Sequence, residues 1–278
     1  TPPWCSAGTM LEFTVKGMGA WGPGFGNWPE LLEGIRNGAW VDEAPLKPER
    51  IPPRERRRSP RFVKMAVEVM SQACAAADID PADLAVVFAT AMSDMRTNDY
   101  MCRVLVDTPA AVSPTKFHNS VNNAATGYWS IATGSHAASN ALCGFRHSAG
   151  MGLLEAATQV VAERRPVLLV VQDEAAPPPL EHICPSSVDL ALAVLLEPVD
   201  SDLDSPDRWR LETVADGAEG SVLPQALRDR FAGNPAADLL PFLLAHAAPE
   251  TGGTAVMLPL NTGLHIRLER GDRKGEAV

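Results

Sequence analysis

The stretch 113–157, SPTKFHNSVNNAATGYWSIATGSHAASNALCGFRHSAGMGLLEAA, constrains this chain more than any other. It predicts, in order, a small-residue helix over 119–134, a short buried strand over the apolar run 137–143, a tight turn at Gly144-Phe145-Arg146-His147, and a second helix from Ser148. Ser148 is the expected N-cap, although Glu155 sits too far along to close a capping box. A turn of this kind lifts side chains to a helix N-terminus, where backbone N–H groups favour anions and lower a thiol's pKa. Enzymes place nucleophiles there, so the question is whether this chain has one.

Charge and composition exclude several classes. The 278 residues are 46% apolar, enough for a real core, and carry a net charge of −10. An acidic chain lacks the basic footprint that non-specific nucleic-acid or acidic-membrane binding needs. No apolar run reaches the ~18 residues of a membrane span. Residues 1–10, TPPWCSAGTM, have neither a basic n-region nor an apolar h-region and read as a disordered leader, or as translated sequence upstream of Met10. Cys5, Cys74, Cys102, Cys143 and Cys184 show no zinc spacing and no disulfide framework. They read as reduced thiols of a cytoplasmic protein with no metal and no cofactor.

Along the chain, 11–18 alternates as a strand, and the loop Gly22-Pro23-Gly24-Phe25-Gly26 follows. Pro23 and the lack of a following βαβ unit argue against a dinucleotide loop. Residues 28–37 form a helix between Pro29 and Gly38. Residues 44–60, rich in proline and arginine, read as an extended surface segment without an element. Arg54, Arg56, Arg57 and Arg58 form a basic patch there, either a solvated loop or a docking patch for an acidic or phosphate-bearing partner. Ser59-Pro60 opens a helix with Met65, Val69, Ala73 and Ala76 on its buried face. Continuous apolar runs at 84–89 and 167–171 predict strands buried on both faces. A helix is expected over 90–106 and another over 150–164. Further strands are expected at 189–197, at 209–214 as an edge, and at 264–269. Residues 199–208 and 215–224 read as acidic loops, and 236–247 as a helix interrupted by Pro241. A single domain over 11–270 with a polar tail at 271–278 follows, in an α/β layer architecture.

Val15-Lys16-Gly17-Met18-Gly19, Trp28, Leu31-Leu32-Glu33-Gly34 and the segment 114–127, PTKFHNSVNNAATG, resemble the β-ketoacyl synthase N-terminal-like family over roughly 11–200. The tract 122–129, NNAATGYW, and the helix at 150–155 resemble most the chain-length-factor-type subunits of aryl-polyene and related type II pigment systems. The resemblance implies the thiolase-like (ketosynthase) fold, here an N-terminal half with a short C-terminal cap. It also implies pairing of two subunits through Phe117, Asn119, Asn122, Asn123, Ala125, Gly127, Trp129, Ser139 and Ala141.

A working member of the family needs an elbow cysteine, with its thiolate stabilised by a helix N-terminus, and two histidines from the second half of the chain. Aligned without gaps, the family's cysteine falls on Arg146, which stays protonated and is no nucleophile. His147 beside it reads as solvated. Cys143, on the strand, reads as a packed, inert thiol, and Ser148 lacks a G-x-S-x-G context. Thr251-Gly252-Gly253-Thr254 with His246 only echoes the family's later motifs, and His182 and His265 have no partner in sequence. The expectation is a non-catalytic subunit that pairs with a complete β-ketoacyl synthase, shapes its acyl tunnel and meets an acyl carrier protein through Arg54, Arg56, Arg57 and Arg58. The alternatives are a truncated acyltransferase or condensing enzyme using Cys143 or Ser148, and a scaffold whose elbow has no remaining task.

Overall fold

The computed structural model describes residues 10–184, 186–199, 207–215, 221, 223–231, 233–248 and 255–271. The expected leader, the tail beyond 271 and most of both acidic loops lie outside these residues.

Among the described residues one eight-stranded mixed sheet runs through the chain in the order β3-β2-β4-β5-β1-β6-β8-β7. These strands are β1 (Leu11–Trp21), β2 (Ala85–Thr90), β3 (Ser139–Cys143), β4 (Val167–Asp173), β5 (Leu190–Pro198), β6 (Arg208–Ala215), β7 (Val256–Asn261) and β8 (Leu264–Arg270). β2 pairs in parallel with both β3 and β4, and the remaining pairings are antiparallel.

The two-residue period of a strand divides the central sheet between two cores. Val86, Phe88, Leu168, Val170, Ala193 and Leu195 face α3 (Arg61–Ala77) and α6 (Ala124–Thr133). Val87, Ala89, Leu169, Val171, Leu192 and Val194 face α7 (Ser148–Glu163), with the 3-10 turn Pro235–Leu239 packed beside it on β4 and β5 and leading into α9 (Leu240–Ala247). Burial on both faces explains why β2, β4 and β5 are unbroken apolar runs in sequence.

The helix α1 (Trp28–Asn37) falls where the punctuation predicts, with the Asn27 side chain accepting from the Glu30 N–H. Five expectations need correction. Residues 44–60 are not wholly extended: α2 (Pro53–Arg58) begins on a proline whose missing N–H costs nothing in a first turn. Ser59 caps the end of α2 and does not start α3, whose N-cap is Pro60. The helix after β2 starts late, as α4 (Met95–Asp107) with Asp94 capping the Thr97 N–H. The helix expected over 119–134 starts late, as α6, and Asn119 instead ends a separate helix, α5 (Pro114–Asn119). Finally, β6 is no edge strand, because β8 covers it and the unanticipated β7 covers β8. Pro259 disguises β7 in sequence, and it is tolerated because β7 is the outermost strand. Near the C-terminal end Pro241 starts α9, and Pro235–Leu239 forms a separate 3-10 turn before it.

A candidate site at the β3–α7 elbow

β3 carries the elbow, and it is not the buried strand its apolar run suggests. Ser139, Asn140 and Cys143 are exposed, and the strand borders the sheet with one side unpaired among the described residues. It ends beside β2, where the Gly144 N–H donates to the Thr90 carbonyl. Phe145–His147 then make a single 3-10 turn into α7. Gly144 is required by close approach: a Cβ there would lie 2.7 Å from Met151 Sδ and 2.9 Å from Ser148 Cα. Phe145 adopts φ +50°, a left-handed conformation costly for a bulky side chain, and its ring is 44% exposed. The strain of the elbow therefore sits one residue before Arg146.

None of the candidate nucleophiles is poised. Arg146 is exposed, with its guanidinium 5.4 Å from the Phe145 ring centroid. Ser148 is the first residue of α7, not its N-cap. It is fully buried, its Oγ accepting from the Gly144 N–H at 3.3 Å and donating to the Phe145 carbonyl at 2.8 Å. Cys143 is exposed where a packed thiol was expected, and its Sγ donates to Asn122 Oδ1 at 3.3 Å. Desolvation by its surroundings, with the nearby Asp173 charge, pushes this thiol up and keeps it protonated. His147 is half-buried, and its Nδ1 is inaccessible and without a hydrogen-bond partner among the described residues, so the ring is not the fully solvated one expected.

A cavity of about 420 Å³ opens beside the elbow, lined by Arg146, His147, Arg228, Phe231, Asp238 and Pro259 among others. Its far wall comes from the C-terminal part of the chain. The approach is tight: a Cβ on Gly150 would lie 2.2 Å from the Pro259 carbonyl oxygen. Asp238 is pushed up to about 6 by burial alone.

The expected partner-facing residues divide in two. Phe117, Asn123, Gly127 and Ser139 are exposed, and Asn122 and Ala141 are half-buried. Gly127 has no atom near the position a Cβ would occupy. Asn119, Ala125 and Trp129 are instead buried within this chain. Asn119 is a pin: its Nδ2 donates to the Arg58 carbonyl and its Oδ1 accepts from the Tyr128 hydroxyl. Val121 and Ile131 are exposed apolar side chains in the same stretch as Phe117. Of the arginine cluster, Arg56 is spent on the carbonyls of Glu49 and Ile51, whereas Arg54, Arg57 and Arg58 are exposed.

Reading the sequence did not anticipate a set of buried carboxyls under the elbow. Asp173, at the end of β4, accepts from Thr90 Oγ1 at 2.8 Å and from the Ala91 N–H at 2.7 Å. Burial pushes it up to about 7. Glu174 is pushed up to about 8 by burial and by Asp94. The signal was present, since Gln172-Asp173-Glu174 continues an apolar strand with polar residues before any turn residue. Among the described residues no cluster of three or more histidine, cysteine or carboxylate groups is arranged to hold a metal. Nor is any helix long and apolar enough to cross a membrane.

Comparison with known proteins places this geometry. The fold is similar to that of a ketosynthase in complex with its chain length factor from Xenorhabdus doucetiae (20% identity, TM-score 0.67, 94% of this chain and 100% of that chain). It is similar to the ishigamide ketosynthase/chain length factor (15%, 0.68, 94% and 99%). It is also similar to a type II polyketide synthase acyl-carrier protein in complex with its ketosynthase bound to the hexaketide (12%, 0.72, 95% and 100%). No curated protein matches the chain. The model of the β-ketoacyl synthase N-terminal domain matches residues 28–228, beginning later and ending later than the sequence resemblance suggested. With most of its length matched by that model, this chain belongs to the β-ketoacyl synthase N-terminal domain family and has its thiolase-like α/β fold.

Proposed function

We propose that this chain is a non-catalytic, chain-length-factor-type subunit that pairs with a complete β-ketoacyl synthase and shapes its acyl tunnel. The setting is cytoplasmic, in aryl-polyene or related type II pigment biosynthesis. One observation carries the reading: the elbow is built, with its glycine, its strained turn and its helix, but no nucleophile stands on it. Arg146 cannot attack an acyl thioester, the Ser148 hydroxyl is spent on the turn, and Cys143 is a protonated thiol bonded to Asn122.

The open side of β3 supports the pairing. Exposed sheet edges are usually blunted by lysine, proline or a bulge, and Ser139–Cys143, SNALC, has none of these. Phe117, Asn123, Gly127 and Ser139 form the partner face. Asn119, Ala125 and Trp129 support it from within. Arg54, Arg57 and Arg58 meet the acidic carrier protein, as point charges that steer association.

Intact-mass measurement after incubation with acyl- and malonyl-loaded carrier protein tests this. No adduct is expected under conditions that acylate a complete ketosynthase. An adduct mapped to Cys143 or Ser148 overturns the reading in favour of a truncated acyltransferase. The Arg146→Cys variant adds a positive control for the elbow: gain of acylation shows that its geometry is intact.

A further inference from the structure

Four basic side chains from four helices converge on one cavity of about 230 Å³, which shares no lining residue with the 420 Å³ cavity beside the elbow. They are Arg58 at the end of α2, Arg61 at the start of α3, Arg96 in the first turn of α4 and Lys116 in α5. Gathering like charge costs free energy unless something opposes it, and the chain as a whole is acidic.

Two of the four charges are balanced internally. Arg61 holds Asp189 at 2.8 Å. Arg96 Nε lies 3.5 Å from Glu174 Oε2. Burial and the neighbouring Asp94 push the Glu174 carboxyl up to about 8, so at neutral pH the two carboxyls together carry about one negative charge, which matches Arg96. Arg58 and Lys116 form no ion pair among the described residues. The Lys116 ammonium rests 3.8 Å from the Tyr100 ring centroid. The cavity therefore carries an excess of two positive charges.

Its floor has an unmet acceptor. Glu174 is 2% exposed, and its Oε2, 3.5 Å from Arg96 Nε, makes no hydrogen bond among the described residues. The other floor groups are satisfied: Thr97 Oγ1 donates to Asp94 Oδ2, and both ends of the Asn119 amide are used. A ligand that suits both features brings negative charge for Arg58 and Lys116 and one O–H for Glu174. Sulfate at neutral pH brings the charge without the proton, and a phosphodiester likewise.

We propose that this cavity binds a phosphate-class oxyanion that keeps a proton, either inorganic phosphate or a phosphate monoester. Arg58 and Lys116 hold its charged oxygens, and its P–OH donates to Glu174 Oε2. The proposal needs no partner subunit, and Arg58 belongs both to this cavity and to the arginine patch assigned above to the carrier protein.

Calorimetric titration of the full chain at fixed ionic strength tests it, with inorganic phosphate, O-phosphoserine, sulfate and dimethyl phosphate as probes. Saturable binding of phosphate or phosphoserine is expected, at least about tenfold tighter than sulfate or the diester, the size set by a hydrogen bond to a charged group. Which of the two binds more tightly identifies the source. The Arg58→Gln/Lys116→Gln double variant should weaken binding by at least about tenfold without lowering the ligand-free melting temperature, because both side chains are exposed and their removal relieves like-charge repulsion. Lys116→Arg should retain binding. Equal affinity for sulfate and phosphate, unchanged affinity in the double variant, or no saturable binding to any probe each overturns the proposal.

Discussion

β3 and β4 flank the same strand, and both run parallel to it, yet they meet opposite environments. Every residue of β4 is buried, whereas β3 is exposed at Ser139, Asn140 and Cys143. Their ends differ in the same way. β4 ends in Asp173, sealed under the elbow. β3 ends in Cys143, open on its surface. One side of β2 is completed by this chain's own β5 and β1, and the other stops at a short unprotected edge. The contrast teaches that the fold seals β4 within its core and leaves the β3 edge open, which is where the proposed function seats a partner chain.

The largest effect that sharpens this contrast is a cavity in β4. Leu169→Ala, at a fully buried position, should lower unfolding free energy by about 2–5 kcal/mol in chemical denaturation. Ser139→Ala on β3 should change it by less than about 0.5 kcal/mol. Equal losses would break the comparison. Gly150→Ala comes next, since its Cβ would press on the Pro259 carbonyl, at a cost of about 1–3 kcal/mol. A neutral result would mean that β7 does not seat against α7.

The two strand ends also differ in their response to pH. Asp173 is held near 7 in the folded chain, against an ordinary value near 3.8. Between those values the folded state keeps a proton that the unfolded state has lost. Its contribution to stability is therefore fully present below about pH 4 and declines as pH rises towards 7, by at most about 1.4 kcal/mol per pH unit. Asp173→Asn should flatten that part of the stability–pH curve, whereas Cys143→Ser should not.

The smallest effect on the isolated chain is expected at Gly127. The helix α6 gains up to about 1 kcal/mol when an exposed glycine is replaced, and open space receives the side chain. Gly127→Leu should thus leave the melting temperature unchanged or raise it slightly while abolishing co-purification with a ketosynthase partner. Retained pairing would move the partner face away from α6.

Much of the fold was legible because strand and helix announce themselves by periodicity. The apolar runs of β2, β4 and β5, the helix α1 and the glycine-turned elbow needed no tertiary information. Arg146 at the elbow was equally plain, since no fold turns a guanidinium into a nucleophile. The errors share a cause. Ser59 and Ser148 have good N-cap chemistry, but a side-chain oxygen caps whichever backbone group lies nearest, and local sequence does not say which. Pro259 made β7 invisible because a proline reads as a breaker until the strand's place at the edge is known.

The sequence by itself determined that this chain has an α/β core and a glycine-turned elbow with arginine at position 146, because identity and spacing decide those facts. Only the tertiary structure decided which apolar residues face solvent and which charges meet. Neither an apolar run nor alternation distinguishes an edge from a centre, so β3 read as a buried strand and β6 as an edge. Ala125 and Trp129 sit beside Gly127 in sequence but on the other side of α6. Arg58, Arg61, Arg96, Lys116, Asp94 and Glu174 span more than a hundred residues of chain and share one cavity. The burial that holds a proton on Glu174 arises from packing between elements, and no local stretch of sequence encodes it.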